Sequence, residues 1–184
     1  DIWLLLLIAA IAFLGSLVYG MTGFGAGLVT IPLATHFVSL PFALSVFALV
    51  DFVSALRLGL QKPKDAVKAD IVRMVPFILV GTVIGVTVLV NLPRAGAMLA
   101  LGLFVVLYAI YALLSRPGTT TVSRHWAYLA GLGGGITSTL FGAGGPPYAI
   151  YLSHRRLSKE QFRATITLTT VFSIGMRIVA FTIT

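Results

Sequence analysis

Seven apolar segments occupy almost the whole chain and constrain its fold more than any other feature. A helix needs about 20 apolar residues to cross the hydrocarbon core of a bilayer, and most of these segments reach that length. Only 10% of the residues are charged, whereas a soluble domain carries about 25%. The sequence therefore predicts an all-α, polytopic transmembrane bundle built from residues Ile2–Gly20, Met21–Leu40, Pro41–Leu60, Ile71–Leu92, Ala95–Leu114, Trp126–Ser153 and Phe162–Thr184.

Most of the Lys and Arg residues lie in three clusters at or between the ends of the apolar segments, and Arg94 and Arg177 stand apart from them. The positive-inside rule places such clusters on the cytoplasmic side. We therefore interpret the net charge of +8 as a topology signal and expect no nucleic-acid partner. The clusters are Arg57, Lys62, Lys64, Lys68 and Arg73, then Arg116 and Arg124, then Arg155, Arg156, Lys159 and Arg163.

The third basic cluster shares a side with the other two only if Trp126–Ser153 enters the membrane and returns. At 1.5 Å per residue this segment is about 42 Å long, which allows two half-crossings but not two complete ones. Its sequence TLFGAGGPPYAIYL, from Thr139 to Leu152, places three glycines and two prolines within an apolar stretch. Both residue types are unfavourable inside a helix. The pattern predicts a re-entrant hairpin broken at FGAGGPP.

Two stretches of the chain resemble each other. GFGAGLVTIP (Gly23–Pro32) aligns with LFGAGGPPYA (Leu140–Ala149), and the similarity continues beyond a three-residue insertion. Such an offset indicates two structural halves, and chance similarity of glycine-rich segments is the alternative. The first half holds an odd number of crossings, so the repeats are expected to be inverted. The later aligned pairs are Phe42 with Phe162, Ser45 with Thr165, Leu49 with Thr169 and Arg57 with Arg177.

This alignment divides the chain into three parts. Residues 1–114 form the first transmembrane repeat, residues 115–125 a cytoplasmic linker, and residues 126–184 the second repeat. No segment of the second repeat corresponds to Ile71–Leu114 of the first. The second repeat is therefore expected to be incomplete at its C-terminus.

The two breaks predict an anion site. Non-helical backbone at membrane depth is tolerated only inside protein or beside a wet cavity, and paired breaks mark transport sites. We expect half-helices at Leu28–Phe37 and Tyr148–Ser153, whose N-termini carry about half a positive charge each and bind anions. The candidate residues of the breaks are Phe24, Gly25, Gly27, Phe141, Gly142 and Gly144, with Pro146 and Pro147 opening the second half-helix.

Charged residues within or beside the apolar segments add further candidates. Asp51 is a candidate for proton coupling, because intramembrane carboxylates are costly and usually functional; a structural hydrogen bond or pairing with Arg57 is the alternative. Arg177 is interpreted as either a cation of a cavity or a residue snorkelling to the interface. Arg163 borders the cytoplasmic mouth, where it attracts anions or only sets topology.

Glycines at a spacing of four residues have a simpler interpretation. Gly81 with Gly85, and Gly131 with Gly135, are predicted to let helices pack closely.

No arrangement of residues indicates catalysis. The chain has no cysteine, which excludes thiolate metal sites and cysteine nucleophiles, and no Ser/His/Asp set or metal-ligand spacing stands out. We expect no enzyme activity, no cofactor and no metal.

Three motifs resemble the sulfite exporter TauE/SafE family, also called the TSUP permeases. They are GSLVYGMTGFGAGLVTIP (15–32), GITSTLFGAGGPPYAIYL (135–152) and FRATITLTTVFSI (162–174). The resemblance implies a secondary transporter of small anions such as sulfite, sulfonates including sulfoacetate, and related sulfur-containing or organic anions. It carries substrate-site roles to Gly23, Gly25, Gly27, Pro32, Gly142, Gly144, Gly145, Pro146 and Arg163.

Several expectations accompany this interpretation. We expect a multi-pass protein of a bacterial inner (plasma) membrane. It is expected to work by alternating access around a midplane site, with protons as the candidate coupling ion. Whether it forms a homodimer is left open. A passive anion channel and a non-transporting scaffold subunit are the alternatives.

Overall fold

The computed structural model describes residues 2–115 and 121–183, and this part of the chain is all helical. Five of its helices are long and apolar enough to cross a membrane, as the all-α prediction required. The predicted linker 115–125 includes residues 116–120, which lie outside the described residues, as does Arg116 of the second basic cluster. The helices are α1 Ile2–Thr22, α2 Ala26–Ala34, α3 Leu40–Gly59, α4 Lys68–Asn91, α5 Arg94–Leu114, α6 Trp126–Phe141, α7 Gly145–Ser153 and α8 Lys159–Ile183.

The helices break at both glycine motifs. Three residues separate α1 from α2, and three separate α6 from α7. Gly23, Gly25 and Gly142 have φ angles of +83°, +87° and +66°, a region that glycine enters without steric cost. The half-helix α7 begins at Gly145, earlier than the predicted Tyr148, because Pro146 and Pro147 belong to its first turn, where a missing N–H is no loss. The half-helix α2 covers Ala26–Ala34 rather than 28–37.

Each half-helix folds back along the helix that precedes it. A Cβ on Gly15 of α1 would overlap Thr30 of α2, and a Cβ on Gly134 of α6 would overlap the ring of Tyr148 in α7. The backbone N–H of Val122 donates to the carbonyl of His154 at 3.2 Å. The chain therefore leaves the α6–α7 hairpin at the end where it entered.

The bundle has two chemically different ends, which α4 connects over its 24 residues, about 36 Å. At the start of α4, Arg155 forms an ion pair with Asp70 at 3.4 Å, and Val67 N–H donates to Thr165 Oγ1 at 2.9 Å. These contacts bring the first and third basic clusters to one end, as the charge pattern predicted. We call it the basic end. The opposite end, where Arg94 begins α5, is called the Arg94 end.

The two hairpins open at opposite ends of the bundle. The α6–α7 hairpin opens at the basic end, whereas Ala34 at the end of α2 shares a core cluster with Leu40 and Ala97 at the Arg94 end. Both half-helices finish similarly: His36 Nδ1 and His154 Nδ1 each lie 2.8 Å from the carbonyl oxygen four residues earlier. The inverted-repeat relation itself stays a prediction.

Closely spaced glycines hold α4 against α6. A Cβ on Gly81 would overlap the carbonyl of Leu132, and one on Gly135 would overlap the carbonyl of Ile78. A Cβ on Gly131 would lie 2.5 Å from the carbonyl oxygen of Met74, and one on Gly85 would lie 2.8 Å from Thr139 Cβ. The predicted packing role of these four glycines is confirmed.

Gly131→Ala is expected to destabilise the bundle, because the added methyl would lie 2.5 Å from the carbonyl oxygen of Met74. Overpacking of this kind costs about 1–3 kcal/mol. The matched control is Gly102→Ala in α5, where nothing lies within 4 Å of the added atom and alanine favours the helix by about 1 kcal/mol. Unfolding in detergent, followed by circular dichroism, measures both. Equal stability of the two variants would contradict the packing.

Candidate functional site

The two helix breaks touch each other. A Cβ on Gly27, at the start of α2, would overlap the carbonyl oxygen of Gly142 in the other break. A Cβ on Gly145, at the start of α7, would lie 2.6 Å from the ring of Phe24. Glycine at these two positions therefore lets the N-terminus of each half-helix approach the break that precedes the other.

A small cavity lies where the breaks meet. Its volume is about 20 Å³, enough for one water molecule and too small for an anion of several heavy atoms. The cavity is closed in this conformation, so a larger solute requires the breaks to separate. It is lined by Tyr19, Gly25, Ala26, Gly27, Asp51, Ser138, Gly142, Ala143, Gly144, Gly145, Thr170, Ser173 and Ile174.

The structure brings most of the predicted break residues to this cavity. The lining includes Gly25, Gly27, Gly142, Gly144 and Gly145. Glycine is required at Gly144 for space, since a Cβ there would lie 2.9 Å from both Gly134 O and Ser138 Cβ. Phe24 covers Gly145 without lining the cavity.

Other predicted site residues lie away from the cavity. Phe141 stacks on Phe104, with ring centroids 5.5 Å apart, and belongs to the apolar core. Pro146 borders an apolar groove beside α5. Pro32 lies inside α2, where its carbonyl accepts a hydrogen bond from Thr35. These residues shape the half-helices rather than the cavity wall.

Gly23 and Arg163 form a separate group above the cavity, toward the basic end. A Cβ on Gly23 would lie 3.6 Å from Arg163 Cγ. The guanidinium of Arg163 donates to the carbonyl of Gly20 at 2.6 Å, so it contacts the last turn of α1.

Arg177 is a buried cation beside the second break. Its side chain is 1% exposed, which excludes snorkelling in this conformation. One guanidinium nitrogen donates to the carbonyl of Ser138 at 2.7 Å, near the C-terminus of α6, where a positive charge is favourable. The Nε atom meets no hydrogen-bond partner among the described residues.

Asp51 supplies the buried negative charge. It is 6% exposed and lines the cavity from α3. Among the described residues no cation lies within 4.0 Å of its carboxylate, so the alternative of pairing with Arg57 fails; the charge that acts on it favourably is that of Arg177. Each buried ion carries a desolvation cost of several kcal/mol, and the opposite charges of Asp51, at the cavity, and Arg177, beside Gly142, offset part of it.

Sequence reasoning missed four polar side chains at or beside the cavity. Tyr19, Thr170 and Ser173 line it, and the hydroxyl of buried Tyr148 donates to Ser173 Oγ at 3.0 Å. A signal existed for two of them. Ser173 precedes Arg177 by four residues and Tyr19 precedes Gly23 by four, so each shares a helix face with a residue that was singled out.

The described residues contain no cluster of three or more His, Asp or Glu that could hold a metal ion.

The fold and the site define a polytopic membrane protein whose two broken helices meet around a closed, charged cavity. The family model described as "Sulfite exporter TauE/SafE" matches residues 8–184. The chain belongs to this family of membrane anion and sulfite transporters, and it is an integral membrane protein. Comparison with curated proteins and with solved structures gave no match.

Arg177→Gln is expected to destabilise the protein, because Asp51 is left buried without the cation that balances it. Breaking a buried pair in direct contact costs about 3–5 kcal/mol, and the loss expected here is smaller, because no cation lies within 4.0 Å of the Asp51 carboxylate among the described residues. Asp51→Asn in the same background is expected to recover a large part of that loss. Arg57→Gln, on the exposed side of α3, is the control and changes stability by at most about 0.5 kcal/mol. The free energy of unfolding in detergent is measured for the wild type, the two single variants and the double variant, which form a double-mutant cycle. Additive effects of the two substitutions would show that the charges do not interact.

Proposed function

We propose that this protein is a secondary transporter of small anions and that the anion binds between the two helix breaks. Sulfite, sulfonates such as sulfoacetate, and related sulfur-containing or organic anions form the substrate class. The single observation that carries the proposal is the meeting of two helix N-termini at one cavity, with the Arg177 guanidinium beside it.

The physical argument is electrostatic. Each helix N-terminus presents unpaired backbone N–H groups and about half a positive charge. The starts of α2 and α7 border the same small volume. Pro146 and Pro147 carry no N–H, so α7 offers the N–H groups of Gly144 and Gly145 there, and Arg177, beside Gly142, adds a full charge with an unpartnered Nε. A small anion there is stabilised from three directions without a second cationic side chain.

Alternating access follows from the opposite orientation of the hairpins. We interpret α1–α2 and α6–α7 as re-entrant hairpins that reach the site from opposite sides of a bacterial inner membrane, with the basic end in the cytoplasm. Outward movement of the α6–α7 hairpin would open the cavity toward the basic end, and movement of α1–α2 would open it toward the Arg94 end. A passive channel, the alternative, needs a continuous pore, whereas the cavity in this conformation has a volume of only about 20 Å³; saturation of uptake with substrate distinguishes the carrier from the channel.

Asp51 is proposed as the proton-coupling group. With the cavity empty, its carboxylate balances Arg177. An entering anion brings a second negative charge into a poorly solvated space, and a proton on Asp51 offsets that charge. One anion would then move together with one proton.

Gly27→Ala is expected to reduce anion flux at least about tenfold, because the methyl group separates the breaks at their closest contact and costs well over 1.4 kcal/mol. Uptake of labelled sulfite or sulfoacetate into proteoliposomes measures this, with size-exclusion profiles to verify folding. The control is Gly20→Ala, where nothing lies within 4 Å of the added atom. Near-normal flux of folded Gly27→Ala would remove the breaks from the mechanism, and absence of flux in the wild type would end the proposal.

Asp51→Asn is expected to abolish the response of uptake to a pH gradient while anion exchange at equal pH persists. In the wild type an inward proton gradient should accelerate uptake, because protonated Asp51 admits the anion. Sulfoacetate is the suitable probe, since acidified sulfite forms neutral SO₂ that crosses bilayers unaided. Asp65→Asn, in the turn between α3 and α4, is the matched control. A pH response that survives in Asp51→Asn would assign coupling to another group.

A further inference from the structure

A second anion-attracting depression lies at the basic end, outside the cavity between the breaks. It has a volume of about 260 Å³ and is bordered by Leu58, Gln61, Lys62, Lys159, Glu160 and Arg163. Three cations face one carboxylate there. Lys62 follows α3 and the other charged residues belong to the start of α8, so the fold, and not sequence proximity, brings them together. We call this depression the vestibule.

We propose that the vestibule is an outer anion-binding site, where a small sulfonate or sulfate-like anion binds before it reaches the site between the breaks. The onward passage rests on the proposed function, whereas the binding itself does not. The vestibule is far larger than the closed cavity, so it accommodates an anion that still carries part of its hydration shell.

Arg163 connects the vestibule to the first break. Arg163 lines the vestibule, and its guanidinium donates to the carbonyl of Gly20 in the last turn of α1. A guanidinium has five N–H donors, so Arg163 can contact an anion with those that do not hold Gly20. Arg163 therefore contacts both the vestibule and the end of α1, just before the first break.

A polar face of α8 leads from the vestibule to the cavity. Arg163, Thr167, Thr170, Ser173 and Arg177 recur at intervals of three or four residues, which places them on one face of the helix. Thr170 and Ser173 line the cavity, and Ser173 accepts a hydrogen bond from Tyr148, so its own proton is free to donate. From Arg163 to Ser173 the distance along the helix is about 15 Å.

Topology alone does not explain the convergence of these charges. The positive-inside rule needs cations near this end, and Lys64 satisfies it from an exposed position in the same loop without bordering the vestibule. Lys64 therefore has the same charge as Lys62 and contributes equally to the positive-inside signal. Comparing the two separates a binding site from a general basic surface.

A single-cysteine experiment tests the vestibule directly, because the chain contains no cysteine of its own. Gln61→Cys in the full chain, held in nanodiscs, is labelled with an anionic sulfonatoethyl methanethiosulfonate and with its cationic trimethylammonium analogue. Relative to a free thiol, we expect the ratio of anionic to cationic rates to rise about tenfold, as local potentials of a few kT produce. Lys62→Gln or Lys159→Gln should lower the ratio severalfold, and Lys64→Gln should leave it unchanged.

Two further measurements complete the test. Millimolar sulfate should slow the anionic labelling, whereas chloride at equal ionic strength should not. In proteoliposomes, Lys62→Gln should raise KM for sulfoacetate about threefold with the maximal rate unchanged, which is the pattern of lost ground-state binding, and Lys64→Gln should match the wild type.

The outcomes separate this inference from the proposed function. A ratio near that of a free thiol, an equal effect of Lys62→Gln and Lys64→Gln, or absence of protection by sulfate would each overturn the vestibule site. An unchanged KM in Lys62→Gln beside normal labelling results would overturn its delivery role. If labelling behaves as expected and the wild type moves no anion, the outer site stands and the transport proposal falls.

Discussion

The requirement that buried backbone polar groups find partners governs this structure. Within a bilayer each unsatisfied N–H or carbonyl costs several kcal/mol, so a helix can be interrupted only where protein surrounds the interruption. Here each break is enclosed by the other: Gly27 meets the backbone of Gly142, and Phe24 covers Gly145. The opposite openings of the hairpins and the location of the cavity follow from this mutual enclosure.

The charge arrangement is connected with the same break. The carbonyl of Ser138, in the last turn of α6, accepts the backbone N–H of Gly142 and also a hydrogen bond from the Arg177 guanidinium. A cation buried in this way needs a counter-charge nearby, which Asp51 supplies from α3. The polar residues of the site are thus tied to the interrupted helices rather than added independently.

The helical class, the two breaks and the shared end of the first and third basic clusters were predictable from the sequence, because each depends on composition or on local glycine and proline chemistry. The contacts between elements were not. GFGAG and FGAGGPP indicate where helices stop, but only the fold shows that Gly27 faces Gly142, that Phe141 joins the apolar core and that Tyr19 lines the cavity. Pro146 and Pro147 open the second half-helix as predicted, but the half-helix bounds differed, since α7 begins at Gly145 rather than Tyr148 and α2 covers Ala26–Ala34 rather than 28–37. The burial of Arg177 needed the tertiary neighbours on α6.

The contact of Gly27 with Gly142 has a consequence for how substrate preference can vary. It joins backbone to backbone, so separating the hairpins there requires no rotamer change, and any larger residue at Gly27 obstructs it. The side chains that line the cavity, among them Tyr19, Ser138 and Ser173, belong instead to α1, α6 and α8. In the proposed transporter, the joint between the hairpins and the surface that recognises the anion therefore reside on different residues, so the chemistry of the cargo is adjustable without altering the joint.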